Sequence, residues 1–195
     1  TVLWVGFILQ AVAVETLSSG VLAKGTQWET AFYQRDSGMD GPVVLVTGGI
    51  HGNEPAGARA ADQIRHWPLK KGRLIVVPKA NIPGLKAGTR YMPGESKLLH
   101  NLNRNFPMTD EEPGARGVLA KTLWKFVESS KPDWLIDLHE GIDFHQINSK
   151  SVGSSIIDVK GEAADSVVPR MLQAVNAEIS DSKKKLVRLR YPVNG

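Results

Sequence analysis

The chain has 195 residues, 42% of them hydrophobic, which suits one domain with a sizeable core. It contains no cysteine, so disulfide bonds and thiolate metal ligands are excluded. Five cationic residues, at 183–185, 188 and 190, account for the whole formal net charge of +4. The rest of the chain is close to neutral and shows no basic face that would indicate a nucleic-acid partner.

The first residues form an apolar run, from Val2 to Leu9, which is followed by the small residues Ala11, Val12 and Ala13. The run is too short to cross a bilayer, but it matches the apolar core of a signal peptide and its cleavage site. We therefore predict a signal-peptide remnant at 1–14, no stable membrane span in the mature protein, and export to the periplasm or the extracellular space. The alternative is a core strand or helix, which would leave the protein in the cytoplasm.

Short apolar runs and one amphipathic segment alternate in the first half of the chain. The sequence predicts a strand over 28–35 and a second, buried strand over 42–47. Between 54 and 66, alanine and isoleucine recur four residues apart, as on one side of a helix. The apolar run at 73–78 predicts another buried strand. Strand, helix and strand in this order predict a parallel crossover unit.

A long irregular stretch, from residue 79 to about 114, follows and contains several prolines and glycines. Loops of this length inside a compact domain are usually functional or disordered. Apolar patterns then predict helices over 115–129 and 168–179 and strands over 134–138 and 186–189. The alternation of strands and helices indicates the α/β fold class.

Two short segments lie just past the ends of predicted strands, residues 48–54 (GGIHGNE) and 137–141 (DLHEG). In an open α/β sheet, functional sites form beyond the carboxyl ends of the strands. His51, Glu54 and His139 supply two imidazoles and one carboxylate. That is the ligand set of a catalytic zinc site, which keeps a fourth position open for water. The sequence therefore predicts a metal-dependent hydrolase if the two segments meet.

The neighbours of His139 are also candidates. Asp137 shares a strand face with His139, and we predict that it holds the second N–H of a ligand histidine; the alternative is a structural role at the strand end. Glu140 points to the opposite face unless the strand has already ended. Four residues that follow are predicted to line a substrate pocket: Phe144, His145, Gln146 and Asn148. His145 has packing as its alternative role.

Three segments together resemble a known family: 48–57 (GGIHGNEPAG), 101–107 (NLNRNFP) and 137–141. They are similar to the zinc carboxypeptidase superfamily, and most of all to its succinylglutamate desuccinylase/aspartoacylase family. Residues 78–81 (PKAN) and 88–91 (GTRY) add to the resemblance. It implies three α/β/α layers with a twisted central sheet, mostly parallel or mixed, and one zinc ion per chain. It also implies hydrolysis of an amide bond next to a carboxylate.

The resemblance assigns roles to individual residues. It places His51, Glu54 and His139 on the metal, Asn103 and Arg104 on the substrate carboxylate, and Arg90 at the developing oxyanion. The chemistry is suitable, because a guanidinium pairs with a carboxylate through two parallel hydrogen bonds and a fixed cation stabilises transition-state charge. The alternatives are a loop-stabilising network for Asn103 and Arg104, and a solvated surface charge for Arg90.

One part of the family pattern is missing. The family uses a glutamate as general base, on a strand well downstream of the third ligand. Only 56 residues (195 − 139) follow His139, and none of the acidic residues among them has a matching context. We therefore expect the base beyond Gly195 and a catalytic domain, 15–195, that is incomplete at its C-terminus. His66 and His100 are predicted to be surface residues.

Three functions remain open at this stage. The first is a zinc-dependent deacylase of N-acyl amino acids or similar small amides. The second is a zinc carboxypeptidase of the same superfamily, with cell-wall peptides as one substrate class. The third is a zinc-binding domain without turnover, since the base is absent. The first two share a small-molecule or peptide substrate that carries a carboxylate.

Overall fold

The computed structural model describes residues 14–107 and 113–190. The predicted signal-peptide remnant at 1–14 lies outside these residues, apart from Val14. None of the helices in this described part of the chain is long and apolar enough to cross a membrane.

The described residues form seven strands, four α-helices and two short 3-10 turns. The strands are β1 (Thr16–Leu22), β2 (Thr30–Asp36), β3 (Val43–Gly48), β4 (Arg73–Val77), β5 (Trp134–Leu138), β6 (Ser155–Ile157) and β7 (Val187–Leu189). The helices are α1 (Pro55–Ile64), α2 (Ile82–Ala87), α3 (Val118–Ser130) and α4 (Glu162–Ala177). The 3-10 turns are Leu102–Arg104 and Ser182–Lys184.

Every strand and helix predicted from the sequence is present. Strand β5 spans the predicted residues 134–138, and each of the others is shifted at one end or both. The prediction missed β1, β6 and α2. Helix α2 lies inside the stretch predicted as irregular, because six residues are too few to show a helical period. Its limits are nevertheless encoded locally: the Asn81 side chain accepts a hydrogen bond from the Gly84 amide, and Gly88 ends the helix in the left-handed conformation with φ 59°. Helix α4 begins at Glu162, before its apolar stripe.

Five strands form one sheet in the order β1-β2-β4-β3-β5. Strand β3 pairs in parallel with β4 and with β5, whereas β1 with β2 and β2 with β4 are antiparallel. The prediction of a mixed sheet is therefore confirmed. Strands β6 and β7 form a separate parallel pair. The central strands β3 and β4 are the most buried, as their runs of valine, leucine and isoleucine indicate.

Helices cover both faces of this sheet. Val76 packs in a core cluster with Ala61 of α1, whereas the next residue, Val77, packs in another with Leu119 of α3. Since successive strand residues point to opposite faces, α1 and α3 lie on opposite sides of the sheet. The predicted three-layer α/β/α architecture is confirmed.

The register of the parallel strands brings their carboxyl ends to one edge. Thr47 of β3 pairs with Val77 of β4 and with Asp137 of β5, and Gly48 pairs with Leu138. The segments that follow these strands therefore leave the sheet side by side. Backbone hydrogen bonds from Ala80 to Gly48 and from Asn81 to Gly49 hold two of these segments together.

Candidate metal centre

Three predicted side chains converge at this edge of the sheet. The Nδ1 atom of His51 lies 2.8 Å from Glu54 Oε1, and the Nδ1 atom of His139 lies 2.7 Å from Glu54 Oε2. One ligand atom from each of the three residues lies within 4.8 Å of the other two. His51 and Glu54 are 2% and 8% exposed, so the centre is largely desolvated on that side. The structure thus brings together residues 85 positions apart.

The turn between β3 and α1 fixes His51 and Glu54. The Glu54 amide donates to the His51 carbonyl at 3.3 Å, and α1 begins immediately afterwards at Pro55. Proline suits the first helical position, because its missing N–H would have no partner there. Gly52 is required by close packing: a Cβ at this position would lie 1.9 Å from the carbonyl carbon of Gly84. Close backbone packing at Gly52 therefore adds to the side-chain contact between His51 and Glu54 in holding the turn.

A second close approach sets the distance between α1 and β5. A Cβ at Gly57 would lie 2.1 Å from the carbonyl oxygen of Leu138, and one at Gly48 would lie 2.6 Å from the carbonyl oxygen of Gly57. Glycine at both positions allows the first turn of α1 to pack directly on the ends of β3 and β5. This packing places Glu54 beside His139.

The electrostatics of the centre keep Glu54 ionised. Burial raises the pKa of the Glu54 carboxyl, but hydrogen bonds from His139 and His51 outweigh burial and hold that pKa well below its usual range. Burial lowers the pKa of His139, but its hydrogen bonds to Asp137 and Glu54 outweigh burial and raise that pKa to about 10. A bound cation would replace the protons that these rings share with carboxylates. Two ring nitrogens and a carboxylate oxygen suit zinc.

Asp137 lies behind His139. Its Oδ2 is 2.7 Å from His139 Nε2, and its Oδ1 accepts a hydrogen bond from the Thr47 hydroxyl at 2.6 Å. The His139 ring is thus held from both sides, by Asp137 and by Glu54. The Nε2 atom of His51, by contrast, is buried and has no hydrogen-bond partner among the described residues. The His51 ring is therefore oriented by its Nδ1 contact with Glu54 and by the turn that carries it.

Arg90 also reaches the centre. Its Nη1 donates to Glu54 Oε1 at 2.7 Å, and its side chain is 41% exposed. Arg90 is thus paired with a buried carboxylate, whereas the alternative for this residue was a solvated surface charge. The predicted role at the oxyanion stays a prediction, since the observed partner is a carboxylate of the chain itself.

Asn103 and Arg104 lie on the 3-10 turn Leu102–Arg104. The Nη1 atom of Arg104 donates to the Asn103 carbonyl at 3.0 Å, and Arg116 donates to the Arg104 carbonyl at 2.6 Å. Within residues 14–107 and 113–190, no hydrogen bond joins either side chain to the three converging residues. Arg104 is exposed and Asn103 is half-buried. The hydrogen bonds of Arg104 and Arg116 therefore stabilise this turn, and none of them joins the turn to the metal centre.

The segment after His139 is folded on itself. His145 Nδ1 lies 2.6 Å from the Ser151 carbonyl oxygen, and the Gln146 side chain donates to the Lys185 carbonyl at 3.0 Å. The Asn148 side chain accepts from the Lys150 amide, and Phe144 lies 5.7 Å from the Lys184 amino group. These contacts organise the loop, and the predicted pocket-lining role of the four residues stays a prediction.

Two residues were assigned incompletely from sequence. Strand β5 has ended at Leu138, so Glu140 is turned back toward α1: its Oε2 accepts from the Ala56 amide at 2.8 Å, and its own amide lies 3.3 Å from Glu54 Oε2. His100, predicted to be a surface residue, is half-buried, and its ring stacks on that of Tyr91 with 4.1 Å between the ring centroids. Only three-dimensional contacts reveal either role, whereas His66 is exposed as predicted.

Comparisons of the sequence identify a family and a relative to which this chain is similar. The family model of the succinylglutamate desuccinylase/aspartoacylase catalytic domain matches residues 40–181. The N-alpha-acetyl-L-2,4-diaminobutyric acid deacetylase of Halomonas elongata is 34% identical over 106 residues, which cover 52% of this chain and 29% of that protein.

Solved structures share the fold. An aspartoacylase family protein from Mesorhizobium loti has a TM-score of 0.58 and 25% identity, over 84% of this chain and 51% of that one. The product-bound ectoine utilization protein EutE (DoeB) from Ruegeria pomeroyi has a TM-score of 0.60 and 22% identity, over 94% of this chain and 55% of that one. The chain therefore spans about half the length of these solved structures, and 29% of the deacetylase.

Proposed function

We propose a function for this chain from one premise: it belongs to the succinylglutamate desuccinylase/aspartoacylase family, whose catalytic-domain model matches residues 40–181. The proposed function is zinc-dependent hydrolysis of an amide bond next to a carboxylate, as in the deacylation of an N-acyl amino acid. The observation that carries it is the convergence of His51, Glu54 and His139 at the carboxyl edge of the sheet.

We propose these three side chains as the metal ligands. Three protein ligands of this type leave one coordination position for water or substrate. When bound there, zinc would supply a Lewis acid and lower the pKa of a bound water. Asp137 supports the arrangement from behind, because its contact with His139 Nε2 directs Nδ1 toward Glu54.

Arg90 is proposed to stabilise negative charge on the carbonyl oxygen under attack. It lies beside a proposed ligand, and a guanidinium has five N–H donors, of which the contact with Glu54 uses one. Glu140 is the acidic neighbour of His139, but its carboxylate accepts from α1. We therefore do not propose it as the general base.

Asn103 and Arg104 are proposed to bind the substrate carboxylate. Arg104 is the exposed cation of this turn, and a guanidinium with a neighbouring amide donor suits a carboxylate. The named substrate of the Halomonas elongata deacetylase is an N-acyl amino acid, which favours deacylation over the carboxypeptidase alternative. A zinc-binding domain without turnover would share the metal ligands and would hydrolyse neither substrate class.

Metal analysis tests the centre. We expect the purified chain to hold about one zinc ion, and His51→Ala to lose it, because three protein ligands are needed for a stable site. The matched control is His66→Ala, which removes an exposed histidine beyond the end of α1 and should keep the metal. Full zinc occupancy in His51→Ala would refute the ligand assignment. Hydrolysis of N-acyl amino acids against short peptides by the full-length protein then separates the two activities.

A further inference from the structure

We propose that Glu140 is a positioning residue, which caps the first turn of α1 and so allows Glu54 to face the two histidines. This inference rests on the proposed metal centre of His51, Glu54 and His139. It concerns a residue that contacts neither histidine through its side chain in the described structure. Its effect on metal binding would pass through the junction between α1, Glu54 and the segment that carries His139.

The N-terminus of α1 lacks its usual cap. The first amides of a helix have no partner within the helix, and the residue at the N-cap normally accepts a hydrogen bond from one of them. Glu54 occupies the N-cap position of α1, but its side chain makes no capping hydrogen bond. Pro55 has no N–H, so the amide of Ala56 is the first that needs an acceptor.

The Glu54 carboxylate is fully used elsewhere. Its Oε1 contacts His51 Nδ1 at 2.8 Å and Arg90 Nη1 at 2.7 Å. Its Oε2 contacts His139 Nδ1 at 2.7 Å and the Glu140 amide at 3.3 Å. A glutamate that turned to cap its own helix would lose these contacts. A metal ligand at an N-cap position therefore requires another acceptor for the helix.

Glu140 supplies that acceptor from the segment after β5. Its Oε2 accepts from the Ala56 amide at 2.8 Å, and its negative charge lies at the positive end of the helix dipole. The amide of the same residue donates to Glu54 Oε2. Glu140 thus touches the helix with its side chain and the proposed ligand with its backbone. It joins the segment that carries His139 to the helix that follows Glu54.

Loss of the carboxylate should loosen this junction. In Glu140→Ala the Ala56 amide has no side-chain acceptor, and Glu54 is the nearest residue able to turn toward it. We expect zinc binding to weaken by about 10- to 100-fold, the usual effect of removing a residue that holds a metal ligand in place. Glu140→Gln keeps an acceptor oxygen of the same reach and should recover most of the affinity. Glu140→Asp keeps the charge but shortens the side chain, and should resemble alanine.

Zinc affinity, measured by competition with a chelator, tests this, together with the thermal midpoint of unfolding. The matched control is Asp133→Ala, because Asp133 also accepts one backbone hydrogen bond, from Val43 at 2.8 Å, at the opposite end of β5. The control should lose stability without losing zinc affinity. If Glu140→Ala does not fold, the comparison of Glu140→Gln with Glu140→Asp decides in its place.

Two results would overturn the proposal. One is wild-type zinc affinity in Glu140→Ala, or equal affinities in the glutamine and aspartate variants, which would leave Glu140 as a structural cap alone. The other is an equal loss in Asp133→Ala, which would indicate general destabilisation. Failure of the metal centre itself looks different: His51→Ala and the unsubstituted chain would then bind zinc equally.

Discussion

Replacement of Gly57 by alanine should separate the two halves of the candidate centre. The added Cβ would lie 2.1 Å from the Leu138 carbonyl oxygen, 2.8 Å from its carbonyl carbon and 3.3 Å from the His139 amide. These are backbone atoms at the end of β5, so no side chain can rotate away. Relief to at least 3.0 Å requires α1 and β5 to move apart by about 0.9 Å.

The cost follows from two opposing effects. Overpacking of this kind usually destabilises by about 1–3 kcal/mol, whereas alanine in place of glycine inside a helix stabilises by about 1 kcal/mol. We expect a net loss of up to about 2 kcal/mol in the free energy of unfolding. Zinc affinity should fall by about tenfold or more, because metal–ligand distances tolerate only about 0.2 Å of change.

Urea unfolding followed by circular dichroism, and chelator competition for zinc, measure the two effects. The matched control is Gly161→Ala, where a Cβ would have no atom within 4 Å and the backbone is extended with φ 161°. It should change both quantities little. Unchanged stability and unchanged zinc affinity in Gly57→Ala would show that the contact between α1 and β5 does not set the geometry of the centre.

Two further predictions concern other parts of the chain. In the full-length protein, Arg104→Ala should raise KM for substrates that carry a carboxylate while kcat changes little, and an unchanged KM would remove the carboxylate clamp from the proposed function. Arg188 donates two hydrogen bonds to Asp158 and holds the pKa of that carboxyl below its ordinary value of 3.8. This ion pair therefore stabilises the fold above pH 3.8. The stabilisation is lost as pH falls through the folded-state pKa of Asp158. The difference in Tm between the unsubstituted chain and Asp158→Asn should therefore be constant near neutral pH and shrink below about pH 3.8, whereas a difference independent of pH would contradict this role.

The local sequence predicts the central strands and the ends of several helices. Strands β3 and β4 are buried on both faces, so each contains four consecutive branched apolar residues, and glycine or proline flanks each strand. Strand β1 gave no such signal, because it lies at the sheet edge and most of its residues are exposed. Edge strands obey weaker compositional rules than central ones.

Some residues of the candidate centre could likewise be predicted from the sequence, and others could not. His51, Glu54 and His139 could be proposed from sequence, since each lies just beyond a recognisable strand and their side-chain types match zinc. The contacts of Arg90 with Glu54 and of Glu140 with α1 could not be predicted from sequence. They join residues 36 and 84 positions apart, and they depend on the folded positions of the loops that carry Arg90 and Glu140. The hydrogen bond between Thr47 and Asp137 is an intermediate case. It can be predicted once the register of β3 and β5 is known, because the two residues are paired there.

The ligand arrangement also bears on how the protein would respond to metal supply. One end of the proposed site follows β3 and the other follows β5, 85 residues later, in a chain that has no disulfide. An ion bound at both ends would act as a reversible cross-link between distant parts of the fold. Each tenfold rise in free zinc above the dissociation constant would then add about 1.4 kcal/mol to the free energy of unfolding. Zinc availability would thus govern the stability of the folded protein as well as its chemistry.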